Sequence, residues 1–239
     1  MLARVASIGI SYLFMMTEPT TENLGALTSG IVPLDPRRQD HLEAAAFLHE
    51  KLLGDSLVAQ LGRLFMKKFY YCKLVESGLV RCDLFRCDGG YVALSAYTKY
   101  PYTFMARGQR RFFLFLAGTV SLGVIAKPSR VSAILKVMSQ NRKRSDRTDD
   151  GKTGEYLSLG VLPAYLDWKD EKTGSRISDL LYERAMDYFK ENHCREVLLV
   201  IQKSNKLAVR FHQNRGAVLK DGDYVPPACC LMSVALHSR

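Results

Sequence analysis

The middle of the chain lacks acidic residues altogether. No Asp or Glu occurs between Asp88 and Asp146, an interval that contains ten Lys and Arg residues. These ten account for the whole formal net charge of +10 of the 239-residue chain, because the remainder holds equal numbers of basic and acidic residues. We therefore expect the region between Asp88 and Asp146 to lie next to an anionic partner or substrate, or at least to be compatible with one.

The six cysteines lack the spacing of a metal site. None form a C-x-x-C pair, and no histidine follows Cys82 and Cys87 at zinc-finger spacing. We expect reduced, mostly buried thiols in a cytoplasmic protein, and no metal. Residues 1–16 resemble a signal peptide only faintly, because the apolar stretch is interrupted and no small-residue cleavage site follows; residues 1–30 are expected to be a flexible tail.

No apolar run is long enough to predict a membrane span. The longest, residues 112–126, has 15 residues, whereas a spanning helix needs about 20. Its length favours a buried core helix over the alternative, an interfacial helix whose flanking arginines bind lipid head groups or an anionic substrate. Peripheral membrane contact is thus not the preferred interpretation. The basic run at residues 142–144 has no interleaved aromatics, so no nucleic-acid partner is expected.

Periodicity outlines the secondary structure. Residues 31–79 have helical spacing broken at Gly54 and Asp55, and residues 79–87 and 91–97 alternate as strands around the turn at 88–90. Further along, strands are predicted at 155–161, 196–201 and 229–236, with helices at 175–192 and 205–214. This alternation predicts an α/β sandwich, in which parallel neighbours require a right-handed crossover.

Two segments carry a resemblance to a known family. The first is EYLSLGVLPAY, from Glu155 to Tyr165, followed by a loop and a helix that contains Leu180 and Leu181. The second is NKLAVRFHQNRGA, from Asn205 to Ala217, which is similar to an N-x-x-A-x-x-F-Y-x-x-x-G-F helix. In this order and at this separation, the segments resemble the GNAT superfamily of N-acetyltransferases.

The resemblance implies a fold and a domain organisation. It implies a mixed, largely antiparallel sheet, with splayed parallel central strands and helices on both faces. A single GNAT-like acyltransferase domain would span residues 31–239, with a basic, apolar insertion at about 102–150.

It also implies a donor site for acetyl-CoA or another acyl-CoA as cosubstrate. The amide-rich pantetheine arm can pair with a strand edge much as a peptide does, here with the backbone of Leu159, Gly160 and Val161. The CoA pyrophosphate needs a helix N-terminus, where free N–H groups and the helix dipole favour an anion. The loop at the start of the helix predicted at 175–192 lies at such a place, and the resemblance assigns it four residues. These are Thr173, Gly174, Arg176 and Ser178.

The donor loop departs from the R/Q-x-x-G-x-G/A pattern of the family. Thr173, Arg176 and Ser178 stand at its three defining positions. Arg176 carries a side chain where the family has close backbone approach, and we expect it to bind a phosphate directly. The departures leave two alternatives open: an acyl-carrier-protein donor, and a module that binds acyl thioesters without catalysis.

The resemblance places the chemistry on two side chains. Glu155 lies where some GNAT enzymes have a general base, and His212 replaces the usual tyrosine, the candidate acid beside the thioester sulfur. Asn205 is predicted to cap its helix and to contact pantetheine together with Ala208 and Phe211. The acceptor would be a small-molecule or peptide amine attacking the thioester directly.

Overall fold

The computed structural model describes residues 29–118, 139, 144, 147–222 and 224–236. The predicted N-terminal tail and most of the second half of the predicted insertion lie outside these residues. The described residues form a seven-stranded sheet in the order β1-β2-β3-β4-β5-β7-β6. The strands are β1 (Gly30–Pro33), β2 (Arg81–Cys87), β3 (Gly90–Thr98), β4 (Thr153–Val161), β5 (Glu196–Gln202), β6 (Val218–Lys220) and β7 (Cys229–Ala235).

One pair of neighbouring strands is parallel. β4 and β5 run in the same direction, and every other pair of neighbours in the sheet is antiparallel. The predicted mixed, largely antiparallel sheet with a central parallel pair is confirmed.

The helices follow the order of the predicted pattern. They are α1 (Gln39–Leu52), α2 (Leu57–Gln60), α3 (Arg63–Phe65), a π-helix (Met66–Lys73), α4 (Leu74–Glu76), α5 (Phe104–Arg111), α6 (Ile177–Glu191) and α7 (Lys206–Gln213), with a 3-10 turn at Pro163–Tyr165. α6 is the connection between the parallel strands β4 and β5, as a crossover requires.

Side chains that alternate along β3 and β4 supply two separate cores. Leu94 and Ala96 point to the side that carries α1 and the π-helix. Tyr97 and Tyr156 point to the opposite side and pack with α6 and α7. Because both faces of the strands are covered, both are apolar, and the predicted placement of helices on both faces is confirmed.

The hairpin between β2 and β3 forms where it was predicted. Its turn residues Asp88 and Gly89 have φ angles of 49° and 78°. A two-residue hairpin turn of this kind needs positive φ at both positions, and Asp-Gly is among the pairs that tolerate it best. The local sequence therefore fixes both the turn and the register that pairs Cys87 with Gly90.

The pattern missed β1, β6, α5, the 3-10 turn and the π-helical winding of residues 66–73. β1 and β6 have only four and three residues, too few for alternation to show. The π-helix falls within a segment predicted to be an ordinary helix, because apolar spacing alone does not separate the two winding patterns. π-helical turns are often found at functional sites.

The apolar run at 112–126 is described only to residue 118. Phe112 and Leu116 pack against the core, whereas Phe113 and Leu114 are exposed, so the described part is not the fully buried helix that was predicted. Residues 119–126 lie outside the described residues. Among the helices that the structure describes, none is both long and apolar enough to cross a bilayer.

Candidate functional site

The two parallel strands part halfway along β4. The pairing runs from Thr153 with Glu196 to Tyr156 with Leu199 and then stops. Beyond this point β4 stays paired with β3, while the end of β5 stays paired with β7. The last five residues of β4 therefore have no partner on the β5 side, which is the predicted splay.

A β-bulge marks the point of separation. On β3, Ala96 pairs with Ser158 and the next residue, Tyr97, pairs with Tyr156, so that Leu157 is an extra residue on β4. A bulge bends its strand and increases the local twist. Because the bulge follows directly after the last β4–β5 pair, it accounts for the divergence of the two strands.

The gap exposes the backbone that was predicted to bind the donor. Thr153 to Tyr156 are buried, whereas Leu159, Gly160 and Val161 are only half-buried. A Cβ on Gly160 would come within 2.9 Å of Leu52 Cδ1, so the end of α1 packs closely against this part of the strand. The three predicted donor residues thus line one edge of a cleft with backbone groups facing it.

Glu155 lies at the closed end of this cleft. Its side chain points away from Tyr156, toward the π-helix, and only 3% of the residue is exposed. Arg144 Nη2 donates a hydrogen bond to Oε1 at 2.5 Å, whereas Oε2 is buried and receives none from the described residues. A carboxylate with one unsatisfied buried oxygen is poised to accept a proton.

Burial raises the pKa of Glu155 above its ordinary value, although Arg144 opposes the shift. Desolvation disfavours the charged carboxylate, and the guanidinium favours it. The nearby charge of Asp149 also raises the pKa of Glu155. A base whose pKa is raised in this way is better matched to proton transfer near neutral pH than an exposed glutamate.

His212 lies on the opposite side of the sheet from Glu155. It is 6% exposed and packs in a cluster with the rings of Tyr156, Tyr182 and Phe211. Burial lowers the pKa of His212 to about 4, assisted by the charge of Arg215. The imidazole is therefore neutral at pH 7 and has no extra proton for a leaving thiolate, so its general-acid role stays a prediction without added support.

The predicted phosphate loop is largely satisfied by its own groups. The carboxylate of Asp170 accepts the backbone N–H and the hydroxyl of Thr173, and the backbone carbonyl of Asp170 accepts the N–H of Gly174. These hydrogen bonds from Thr173 keep the pKa of Asp170 below its ordinary value, so the turn already holds an anion of its own. Thr173 and Gly174 consequently offer no free N–H groups to a phosphate.

The first turn of α6 retains one accessible backbone donor. Arg176 precedes the helix, and its N–H donates to Asp179 Oδ2 at 3.3 Å. Ile177 is fully buried, whereas Ser178 is half-buried and its N–H has no acceptor among the described residues. The Arg176 side chain is half-exposed and lies 4.0 Å from Asp167. A phosphate can therefore be held by one amide and one guanidinium.

Arg215 joins the start of α6 to the end of α7. Its guanidinium pairs with Asp179, donates to the carbonyl of Phe211 at 2.8 Å, and stacks on the Phe211 ring at 3.6 Å from the centroid. This residue was not predicted, because it lies outside the positions that define the resemblance. It neutralises the carboxylate nearest to the proposed phosphate position.

The α7 residues occupy the side of the cleft opposite β4. Asn205 Oδ1 accepts the N–H of Ala208 at 3.0 Å, as predicted for a helix cap. Ala208 and Phe211 are half-buried and pack against the core that contains Tyr156. The structure thus brings the predicted α7 residues to the same core as the splayed strands, while Thr173 and Gly174 form a separate turn.

Similar folds occur among solved structures. The protein PH1933 from Pyrococcus horikoshii OT3 is 10% identical, with 88% of this chain and 100% of that chain covered and a TM-score of 0.53. The GNAT domain of S. lividans PAT is 11% identical, with 87% of this chain and 91% of that chain covered and a TM-score of 0.50. The chain has the fold of a GNAT domain. No family model and no curated protein matches the sequence.

One fold can host many different functions, so this likeness shows the architecture of the chain only. The reaction has to be argued from the residues of the site. Within the described residues, no group of three or more His, Cys, Asp or Glu side chains is arranged to hold a metal ion. The splayed edge of β4, Glu155 and the start of α6 are the parts of the candidate site that the structure describes.

Proposed function

We propose that the chain is an N-acyltransferase that transfers an acetyl or other acyl group from a CoA thioester to an amine. The observation that carries the proposal is the splay of β4 from β5, which begins at the Leu157 bulge beside the buried carboxylate of Glu155. An extended thioester arm can enter such a gap and bond to the free edge of β4. Its reactive end would then lie near a base.

The proposed reaction is a direct transfer. The amine nitrogen attacks the thioester carbonyl carbon, its proton passes to Glu155 directly or through one water, and the carbon–sulfur bond breaks. The thiolate can depart without a general acid, since an ordinary thiol is a comparatively strong acid with a pKa of about 8.5, and it then takes up a proton from solvent. This scheme requires no covalent acyl-enzyme.

The donor diphosphate is proposed to bind at the first turn of α6. The amide of Ser178 and the guanidinium of Arg176 supply hydrogen-bond donors and positive charge, and Arg215 offsets Asp179. The dipole of the helix also favours an anion at its N-terminus. The acceptor is proposed to be a small-molecule or peptide amine that approaches from the side of the π-helix.

A second candidate function is an acyl-thioester-binding module without catalysis. The observation that favours it is that carboxylates already accept donor groups of this loop: Asp170 accepts the N–H of Thr173, and Asp179 accepts the N–H of Arg176. Weak donor binding would then serve recognition rather than turnover. This candidate predicts binding of the thioester without acyl transfer.

Two measurements on the purified chain separate these functions. Calorimetry with acetyl-CoA and with free CoA measures donor binding, and a thiol-release assay over a panel of amines measures transfer. The enzyme predicts both binding and amine-dependent thiol release. Binding without thiol release on any amine supports the module, and absence of binding to either ligand contradicts both functions. Native mass spectrometry for a co-purified thioester would identify the acyl group.

A further inference from the structure

The two oxygens of Glu155 have different surroundings. Oε1 accepts the 2.5 Å hydrogen bond from Arg144 Nη2, and Oε2 is buried without a partner among the described residues. The side chains of Glu155 and Arg144 are 4% and 18% exposed. The pair is thus shielded from water, and the carboxylate is held through one of its oxygens.

Aromatic rings hold the Arg144 guanidinium in place. It lies over the ring of Tyr224, 5.4 Å from the centroid, and Tyr224 packs edge-to-face against Tyr102 at 5.8 Å. A guanidinium stacked on an aromatic face in a desolvated setting is stabilised as a cation. The rings therefore fix both the charge of Arg144 and the direction from which it reaches Glu155.

Arg147 also lies over the Tyr224 ring, 4.8 Å from its centroid, but the other described groups that interact with the carboxylate are neutral or negative. Tyr70 approaches from the π-helix, and burial raises the pKa of both Tyr70 and Tyr224, so each remains a neutral phenol. Asp149 carries the nearby negative charge, which raises the pKa of Glu155. Of the described groups that act on Glu155, Arg144 is the one that favours its charged form.

We propose that Arg144 is a positioning residue for Glu155: it anchors Oε1 and leaves Oε2 as the oxygen that accepts the amine proton. This inference rests on the proposed function, since it assumes that Glu155 is the base. One anchored oxygen fixes the plane of the carboxylate, and the unpartnered oxygen supplies the lone pair. The guanidinium keeps the carboxylate ionised in a buried position, where it would otherwise take up a proton at higher pH.

The test replaces Arg144 and follows turnover across pH. Arg144→Gln keeps a hydrogen-bond donor and removes the charge, so Glu155 should become protonated at higher pH. The acidic limb of kcat/KM should then move upward by about one to three pH units, the range for loss of a neighbouring opposite charge. The loss should appear in kcat, with the KM for donor unchanged. Arg144→Lys keeps a cation, so its acidic limb should lie closer to that of the wild type than the limb of Arg144→Gln does.

Arg110→Met is the matched control. Arg110 is exposed on α5 within the same basic interval, so this variant also removes one positive charge. Its pH profile should equal that of the wild type. An Arg144→Gln profile equal to the wild type would overturn the inference. If that variant does not fold, Arg144→Met, which also removes the charge, decides, because a wild-type kcat and an unshifted acidic limb in it would overturn the inference equally.

Glu155→Gln separates this inference from the function on which it rests. If Glu155→Gln loses turnover while Arg144→Gln retains the wild-type profile, the positioning role alone fails. If Glu155→Gln retains full turnover across pH, Glu155 is not the base, and the assignment of Arg144 fails with it. Thiol release by the wild type decides the acyltransferase function independently of both variants.

Discussion

The two sides of β4 differ in how they are built. On the side of α6 and α7, the candidate donor site is half-exposed and uses backbone groups, namely the edge of the splayed strand and an amide in the first turn of a helix. On the side of the π-helix, the candidate base is buried and held by one specific ion pair. The comparison shows that a single strand can offer unpaired backbone groups for binding on one side and one buried carboxylate for proton transfer on the other, within a few residues.

The donor side depends on main-chain geometry, so single side-chain changes there should have moderate effects. The acceptor side depends on a buried carboxylate, whose loss or change of charge has no substitute nearby. Mutations on the two sides therefore test whether binding and chemistry are separated as the structure indicates.

The buried imidazole of His212 should make the donor-side core sensitive to acid. Its folded-state pKa is about 4, below the ordinary 6.5, so the unfolded chain binds a proton that the folded chain does not. The stability from the neutral ring is complete above pH 6.5 and is lost as the pH falls toward 4. The loss should reach the order of 3 kcal/mol, measured by denaturant unfolding at several pH values.

His212→Phe should reduce this acid sensitivity, because Phe fits among the surrounding rings and does not titrate. His49 provides the comparison, since burial lowers its pKa to about 4 as well while it bonds to Tyr71 and Ser56. An acid response unchanged in His212→Phe would contradict the burial argument. If His212→Phe lost more turnover than Glu155→Gln, His212 would regain its general-acid role. Binding and chemistry would then not be separated on the two sides of β4.

Glu155→Gln should lower turnover on the order of 100-fold, as expected for removal of a general base. Donor affinity should not change, because Glu155 faces away from α6 and α7. The comparison requires calorimetry with acetyl-CoA alongside steady-state kinetics. Weaker donor binding in this variant would show that the two sides of β4 are not separate.

Arg176→Glu should weaken donor binding by more than about 1.5 kcal/mol, or about tenfold, the lower range for a charge-assisted hydrogen bond. Turnover at saturating donor should be retained. Lys190→Glu makes the same charge change at the far end of α6 and serves as the control. Equal donor affinities in the two variants would contradict the proposal that the diphosphate binds at the start of α6.

Asn205→Ala should lower the free energy of unfolding by about 1 kcal/mol through loss of the helix cap. Ser204→Ala, one residue earlier in an exposed position, is the control and should be nearly neutral. Thermal unfolding of both variants measures the difference. A cost much larger than about 2 kcal/mol would indicate that Asn205 supports more than its own helix.

The donor side was the part most accessible from the sequence. The strand containing Glu155 and the capped helix at Asn205 carry their signals within short segments, because turns, caps and strand edges are specified locally. Even there, the loop was only partly predicted: Asp170 satisfies Thr173, and this internal bond is invisible to motif spacing.

The acceptor side was much less accessible. Arg144 belongs to the basic run at residues 142–144, and no sequence pattern connects it with Tyr224. Their meeting with Glu155 depends on the path of the chain between distant segments, which no local period records. The π-helix that brings Tyr70 toward the carboxylate was equally hidden, since its apolar residues fit an ordinary helix.

The measurement that tests the central claim most directly is hydrogen exchange along β4 with and without CoA. Residues 153–156 pair with β5, and Glu155 and Tyr156 among them also pair with β3, whereas residues 157–161 have no partner on the β5 side. If the splayed half binds the donor arm, the amides of 157–161 that face the gap should become protected on addition of CoA, while those of 153–156 change little. Unchanged exchange at 157–161 under conditions where calorimetry shows CoA bound would contradict the account.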